Sequence, residues 1–163
     1  AADFDAEVRF IEYMDVGGAT LWNRERVVSR ADILQRLADH YGPVEAVAGR
    51  GRAPAERFRL PTGEKVGIIS STTEPFCRDC DRSRLTADGF WYLCLYAREG
   101  IDMRQPVRDG YSQQQLADRI HRVWSGRSDR GAEQRAELAE RSALYQIEEL
   151  RQDPRREMHR RGG

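Results

Sequence analysis

All three cysteines of this chain fall within one short stretch, Phe76 to Cys94, in the order C-x2-C-x13-C. No other feature constrains the fold as tightly. A C-x2-C turn aims two sulfurs at one point, and a β-hairpin between Cys80 and Cys94 would return the third sulfur to the same place. The hairpin signal is there: "RSRLT" and "FWYLCLY" flank Asp88-Gly89, a turn dipeptide. The stretch therefore predicts a metal knuckle built on a hairpin.

Three other uses of the cysteines compete with a cluster. A disulfide conflicts with the odd count and with a reducing compartment. A C-x-x-C redox pair wants a following helix to lower the thiol pKa, whereas Cys80 leads into a predicted strand. Structural zinc is the serious rival, but such sites are closed by four protein ligands. After Cys94 comes "LYAREG", without Cys or His, and His40, His121 and His159 all lie far off in the sequence. Spacing alone leaves zinc and iron–sulfur level. The absent fourth ligand tilts toward an iron–sulfur cluster, because a cubane held by three thiolates leaves one iron open to bind something.

Compartment and partner class follow from composition. The 163 residues suffice for one domain with a real core, and 39% hydrophobic with 33% charged residues is ordinary for a soluble protein. No apolar run approaches the ~20 residues that span a bilayer. "AADFDAEVRF" has neither a basic nor an apolar leader region, so no secretory signal and a cytoplasmic location are expected. Net charge is zero, which predicts neither a nucleic-acid nor a membrane partner. Lys65 is the single lysine among 27 basic residues; the rest are arginine. That bias makes any one arginine weak evidence of function.

The rest of the chain reads as mixed α/β. "EVRFIEYMDVGG" is an apolar run followed by a loop, which predicts a strand covered on both faces, as in a parallel sheet. The segments after it look antiparallel. The first strand therefore lacks an obvious neighbour, and the chain is expected to begin in the middle of a larger sheet. "SRADILQRLADHYG" predicts a helix capped by Ser29 and Asp32, with Ile33, Leu34, Leu37, Ala38 and Tyr41 on one face and Gly42 ending it. "AERFRL" and "EKVGIIS" predict strands joined at "PTG". "SQQQLADRIHRVWSG" predicts a second helix, capped by Ser112 and Gln115, with Leu116, Ile120, Val123 and Trp124 facing inward. Residues 127 to 157 are highly charged, and their apolar stripe is thin.

Two arginines stand where chemistry could use them. Arg82 and Arg84 lie two apart in the predicted strand after Cys80, so both side chains project to one face. Paired guanidiniums suit phosphate better than ammonium groups do, because each can bond it bidentately. A solvated strand edge in an arginine-rich chain is the competing reading.

"FCRDCDRSRLTADGFWYLCLY", preceded by "VGIISSTTEP", resembles the C-terminal half of the molybdenum cofactor biosynthesis protein A family, the GTP 3′,8-cyclases. "VRFIEYMDVGG" resembles the last barrel strand of that family, and the closing "GG" resembles its double-glycine tail. The resemblance implies a radical S-adenosylmethionine (SAM) enzyme. In that family an N-terminal C-x3-C-x2-C cluster cleaves SAM, and the resulting radical takes a hydrogen from the ribose 3′ carbon of GTP. A second [4Fe-4S] cluster, held by three cysteines, binds the guanine. Carried onto this chain, the resemblance assigns Cys77, Cys80 and Cys94 to that second cluster and Arg82, Ser83 and Arg84 to GTP. It places Met14 and Arg9 at SAM, and Gly162 and Gly163 in the active site.

This chain contains no C-x3-C-x2-C, so the resemblance covers the C-terminal half only, and the chain alone is expected to be inactive. The implied fold is α/β: residues 1–26 as the last strand and loop of an incomplete (βα) TIM-type barrel, 27–126 as an α+β C-terminal domain carrying the iron–sulfur hairpin, and 127–163 as a charged tail. The implied partners are GTP, SAM, the N-terminal barrel half and, as one option, a second copy of the chain. A structural zinc module, or an auxiliary-cluster domain of a radical SAM enzyme acting on a peptide, are the alternatives; "RSRLTADG" argues against the latter.

Overall fold

The computed structural model describes residues 2–4 and 6–161. Seven strands and five α-helices follow one another along these residues. They are β1 (Val8–Ile11), α1 (Arg30–Tyr41), β2 (Glu45–Val47), β3 (Glu56–Arg59), β4 (Lys65–Ile69), β5 (Arg84–Leu85), β6 (Phe90–Tyr92), β7 (Ile101–Asp102), α2 (Arg104–Arg108), α3 (Gln113–Ser125), α4 (Gly131–Ala136) and α5 (Ile147–Gln152). The class is mixed α/β. By internal contacts the chain forms two units: residues 1–14, 22–80 and 132–142, and residues 15–21, 81–131 and 143–163.

The first unit holds a four-stranded sheet in the order β1-β4-β3-β2. Gly63 sits at φ +100 in the "PTG" turn, and β3 and β4 pair antiparallel across it. The sequence leaves β1 without an obvious neighbour; the structure supplies one, since β1 runs parallel to β4 in the register Val8–Val66 to Ile11–Ile69. α1 lies between them in sequence. Its N-terminus forms the expected capping box, with Ser29 Oγ accepting from the Asp32 N–H and the Asp32 carboxylate accepting from the Ser29 N–H. Ile33 on α1 packs with Phe58, Leu60, Val66 and Ile68, and Phe10, Leu34, Leu37 and Val44 close around them.

Two expectations for this unit need correction. β1 is not covered on both faces: among the described residues it is an edge strand, and Val8 and Ile11 are 40% and 62% exposed. The apolar run reports what β1 is built to bury; here Phe10 is partly covered, while Val8 and Ile11, on opposite faces, are exposed. Tyr41, the last residue of α1, also lies exposed rather than on the packed face of the helix.

The second unit carries the sheet β5-β6-β7, antiparallel throughout. β5 and β6 form the expected hairpin, turning at Asp88-Gly89 with the Gly89 N–H donating to Thr86 O at 2.9 Å. Gly89 has φ +80, a conformation a side chain strains. A Cβ there would also lie 2.3 Å from Arg104 Cγ. The strands are shorter than the sequence suggests: β6 ends at Tyr92, and Cys94 lies beyond it in a turn.

α3 starts and stops where its caps predict, from Ser112 to Gly126. Its apolar face is only half-covered: no residue of α3 is fully buried, and Ile120 is exposed. Periodicity tells which face is apolar and not what lies against it. The charged stretch after residue 127 departs from the tail reading more sharply. Ala143, Leu144, Tyr145, Leu150 and Arg161 are all buried. Tyr145 collects the guanidiniums of Arg98, Arg156 and Arg161 on its ring, so the arginine-rich composition is itself packing material here.

Asp102 gives this unit an acid dependence. It accepts from the Arg104 guanidinium at 2.8 and 3.2 Å and from the Arg104 and Gln105 N–H groups at 2.8 and 3.2 Å, at the start of α2. The Arg104 side chain, helped by those N–H groups, holds the Asp102 carboxyl far below its ordinary value of 3.8. A carboxyl depressed on folding stabilises above its unfolded pKa, and that contribution is lost as pH falls below it. Asp102→Asn should therefore melt below wild type at neutral pH, with the gap closing as pH drops beneath 3.8. Paired thermal melts across the acid range test this; a gap independent of pH would refute it.

Candidate functional site

In the first unit, the residues singled out by sequence, apart from Arg9 on β1, come from loops that follow the carboxyl ends of the parallel pair. Met14, half-buried, lies just past β1; Cys77 and Cys80 lie past β4. The carboxyl ends of parallel strands are where α/β proteins place their ligands, because the loops there converge while the sheet holds them.

These loops are tied down by one buried carboxylate. Glu12, 2% exposed, accepts at Oε2 from the N–H groups of Thr72 (2.9 Å) and Thr73 (2.8 Å). At Oε1 it accepts from Thr73 Oγ1 (2.5 Å) and from the N–H of Arg30 at the start of α1 (2.8 Å). Next to it, the Tyr13 carbonyl accepts from Trp22 Nε1 at 2.9 Å and from Thr72 Oγ1 at 3.1 Å. Arg141 donates to Thr72 O at 3.1 Å while stacking over Trp22. The segment leading to Cys77 thus leaves a frame whose backbone donors and acceptors are paired.

Cys77 opens a 3-10 turn, Cys77–Asp79, and the Cys80 N–H closes it on Cys77 O at 3.2 Å. Both cysteines are half-buried, and Arg78 and Asp79 between them are exposed. Phe76, just ahead of the turn, lies under the Arg50 guanidinium. Arg9 is exposed on β1 and donates to Glu7 Oε1 at 2.7 Å; Glu7 pairs with Arg57 as well. The Arg9 hydrogen bond, seconded by Arg57, lowers the Glu7 pKa.

In the second unit β5 is short, Arg84–Leu85, and Arg82 and Ser83 lie ahead of it. Arg82 and Arg84 are half-buried and Thr86 is buried, whereas Ser83 and Leu85 between them are exposed. Cys94, also half-buried, sits in a turn closed by the Ala97 N–H on Cys94 O at 3.1 Å. Tyr96 in that turn donates from its hydroxyl to Asp15, 0% exposed, at 2.9 Å. Gly162 and Gly163 lie outside the described residues.

None of the three cysteines forms a disulfide. Among the described residues no group of three His, Cys, Asp or Glu side chains is arranged to hold a metal ion. Sequence reasoning did not single out Glu12, Asp15, Tyr96 or Arg141, and it noted Arg161 only for its charge, not for burial. Glu12 left one trace, an acid embedded in the apolar run "FIEYM".

A family model described as Molybdenum Cofactor Synthesis C matches residues 6–133, which include the loops after β1 and β4, the β5–β6 hairpin and all three cysteines. The chain belongs to the Molybdenum Cofactor Synthesis C family. Three of its curated relatives carry the name GTP 3′,8-cyclase. GTP 3′,8-cyclase 3 of Mycobacterium bovis and GTP 3′,8-cyclase 1 of Mycobacterium tuberculosis are each 52% identical over 163 residues, all of this chain and 43% and 45% of the relatives. GTP 3′,8-cyclase of Acidothermus cellulolyticus is 43% identical over 135 residues, 79% of this chain and 37% of the relative. This family member thus spans less than half the length of the curated relatives it matches. No helix among its described residues is long and apolar enough to cross a membrane.

Proposed function

We propose that this chain is the GTP-binding, auxiliary-cluster half of a cytoplasmic GTP 3′,8-cyclase, the lyase that converts GTP to 3′,8-cyclo-7,8-dihydro-GTP in molybdenum cofactor biosynthesis. The observation that carries this reading is the 52% identity, over the whole chain, to proteins of that name. A structural zinc module is not favoured, because the relatives in the family are enzymes rather than binding modules.

Cys77, Cys80 and Cys94 would hold a [4Fe-4S] cluster. The donor chemistry fits it: three partly accessible thiols, none in a disulfide, two of them joined by one tight turn. When bound, such a cluster supplies an open iron to which the guanine base can attach. The chain's own residues do the positioning. Arg82 and Arg84 grip the triphosphate, with Ser83 between them. Met14 and Arg9 flank SAM, and Gly162 and Gly163 enter the active site, where residues without a Cβ let backbone approach closely. Fixing the ribose against its reaction partner is an orientation effect, worth several kcal/mol.

On this reading residues 1–26 end a TIM-type barrel, 27–126 form the cluster domain and 127–163 lead to the double glycine. The exposed edge of β1 supports a missing barrel half as partner. Beside it a cavity of about 390 Å³ is lined by Phe10, Ile11, Tyr13, Val28, Ile33 and Leu37 together with Arg26 and Arg36, a largely apolar surface that a further strand and helix would cover.

Anaerobic reconstitution of the full chain, followed by iron and sulfide analysis, tests the proposal. About four of each per chain are expected, the stoichiometry of a cubane. Cys94→Ser should lose most of both. One tightly held zinc and no sulfide would sink the reading.

A further inference from the structure

Arg161 is 1% exposed, yet none of its hydrogen-bond partners among the described residues is an acid. Nη1 donates to Leu95 O at 3.3 Å and to Ala97 O at 2.8 Å, Nε to Arg155 O at 2.9 Å, and Nη2 to the Tyr145 hydroxyl at 3.1 Å. The guanidinium carbon lies 4.3 Å from the Tyr92 ring centroid and 5.6 Å from that of Tyr145. A buried charge is costly unless its donors are met. Here carbonyls, a phenol and two ring faces meet them. Only the planar fork of arginine reaches so many acceptors at once.

The carbonyls it holds are not scattered. Leu95 and Ala97 belong to the turn that Cys94 opens, and the Ala97 N–H closes that turn on Cys94 O. Two further contacts fix the same turn. The Tyr96 hydroxyl bonds Asp15, and Gly131 passes so close that a Cβ there would lie 2.6 Å from Tyr96 Cβ and 3.0 Å from Cys94 Sγ. The remaining carbonyl, from Arg155, ties the clamp to the 3-10 turn Pro154–Arg156.

We infer that Arg161 is a positioning residue for Cys94: its guanidinium sets the Cys94–Ala97 turn, and with it the direction of the third thiolate. A generic anchor for the C-terminus would need only the Arg155 and Tyr145 bonds. The two bonds to Leu95 and Ala97 are what a ligand-orienting role adds. Outer groups that orient a metal ligand typically change affinity by about 10–100-fold when removed. The inference rests on the reading of Cys94 as a cluster ligand, and one arm of its test does not.

The test uses the full chain with Arg161→Gln, Arg161→Lys and, as control, Arg160→Gln, whose side chain is exposed. In the first arm, the metal-free protein is pulsed with iodoacetamide and each cysteine is read by peptide mass spectrometry. Cys94 should alkylate ~10-fold faster in Arg161→Gln, with Cys77 and Cys80 unchanged, and Arg161→Lys should rescue only partly because lysine lacks the fork. In the second arm, the reconstituted protein is challenged with an iron chelator. Cluster loss should quicken by a similar factor and its EPR signal should change shape, while Arg160→Gln matches wild type. Equal acceleration at all three cysteines, including through unfolding of either variant, would overturn the inference, as would no change at Cys94. Should wild type hold no iron, the functional reading falls, and the alkylation arm still decides whether Arg161 positions the turn.

Discussion

Glu12→Ala should cost the fold about 3 kcal/mol or more, roughly what three N–H donors and one hydroxyl lose with their shared acceptor. The carboxylate joins the start of α1 to the loop after β4, through Arg30 on one side and Thr72 and Thr73 on the other, and a longer Arg30–Glu74 ion pair lies beside it. Thr73 and Arg30 are not fully buried, so water can satisfy part of what is lost. Thr72 is 5% exposed, and its N–H has no such recourse. Against a typical domain stability of ~5–15 kcal/mol, the variant should show a clearly lower urea midpoint and a lower Tm. Glu12→Gln should not rescue it. Each carboxylate oxygen accepts two donors, so whichever end carries the amide NH2 points a donor at two more. A Glu12→Ala protein melting within 0.5 kcal/mol of wild type would show that the loop does not depend on this carboxylate; ordinary surface changes fall within about that margin.

What the sequence makes legible here is what local chemistry decides. α1 and α3 begin where a serine and a residue three further on can exchange hydrogen bonds with each other's N–H groups, and that pairing needs nothing outside five residues. The hairpins turn at Gly63 and Gly89 because those positions take positive φ. The two-residue period expected for Arg82 and Arg84 has less strand to act on than the sequence suggests, since β5 is only Arg84–Leu85 and Arg82 lies ahead of it.

What stays illegible is what a residue meets across the fold. The apolar run of β1 says that both faces want cover, but whether a strand lies beyond Val8 and Ile11 is not written in those residues. α3 shows the same limit, since its apolar stripe is plain and its covering is partial. Arg161 is the sharpest case. In a chain where nearly every basic residue is arginine, no local signal separates the buried one from its exposed neighbour Arg160. Its burial is decided by Tyr92, Tyr145 and two carbonyls more than sixty residues away. The family resemblance names Cys94 and the double glycine, but it does not reveal the side chain that stands next to one and holds the other's turn.

Replacing Arg82 and Arg84 together by Ala should weaken GTP binding by about 100-fold or more while changing guanosine little, since each lost charge-assisted hydrogen bond is worth ~1.5–3 kcal/mol and each 1.4 kcal/mol is tenfold. The experiment belongs in the complete enzyme, with both halves present, and compares the Kd of the two ligands for wild type and variants. Guanosine has the base and ribose but no phosphate, so the ratio isolates what the arginines do for the triphosphate. Both side chains are half-buried, and a half-buried guanidinium is more weakly screened than one on an open surface. Arg82→Lys with Arg84→Lys should recover part of the loss, because the charge returns without the bidentate geometry. Raising the salt concentration should erode GTP binding in wild type more than in the double Ala variant, since the interaction being screened is the one the variant lacks. Guanosine and GTP weakened by the same factor would instead place these arginines at the base or ribose, or in the packing of the hairpin, and the phosphate assignment would fail.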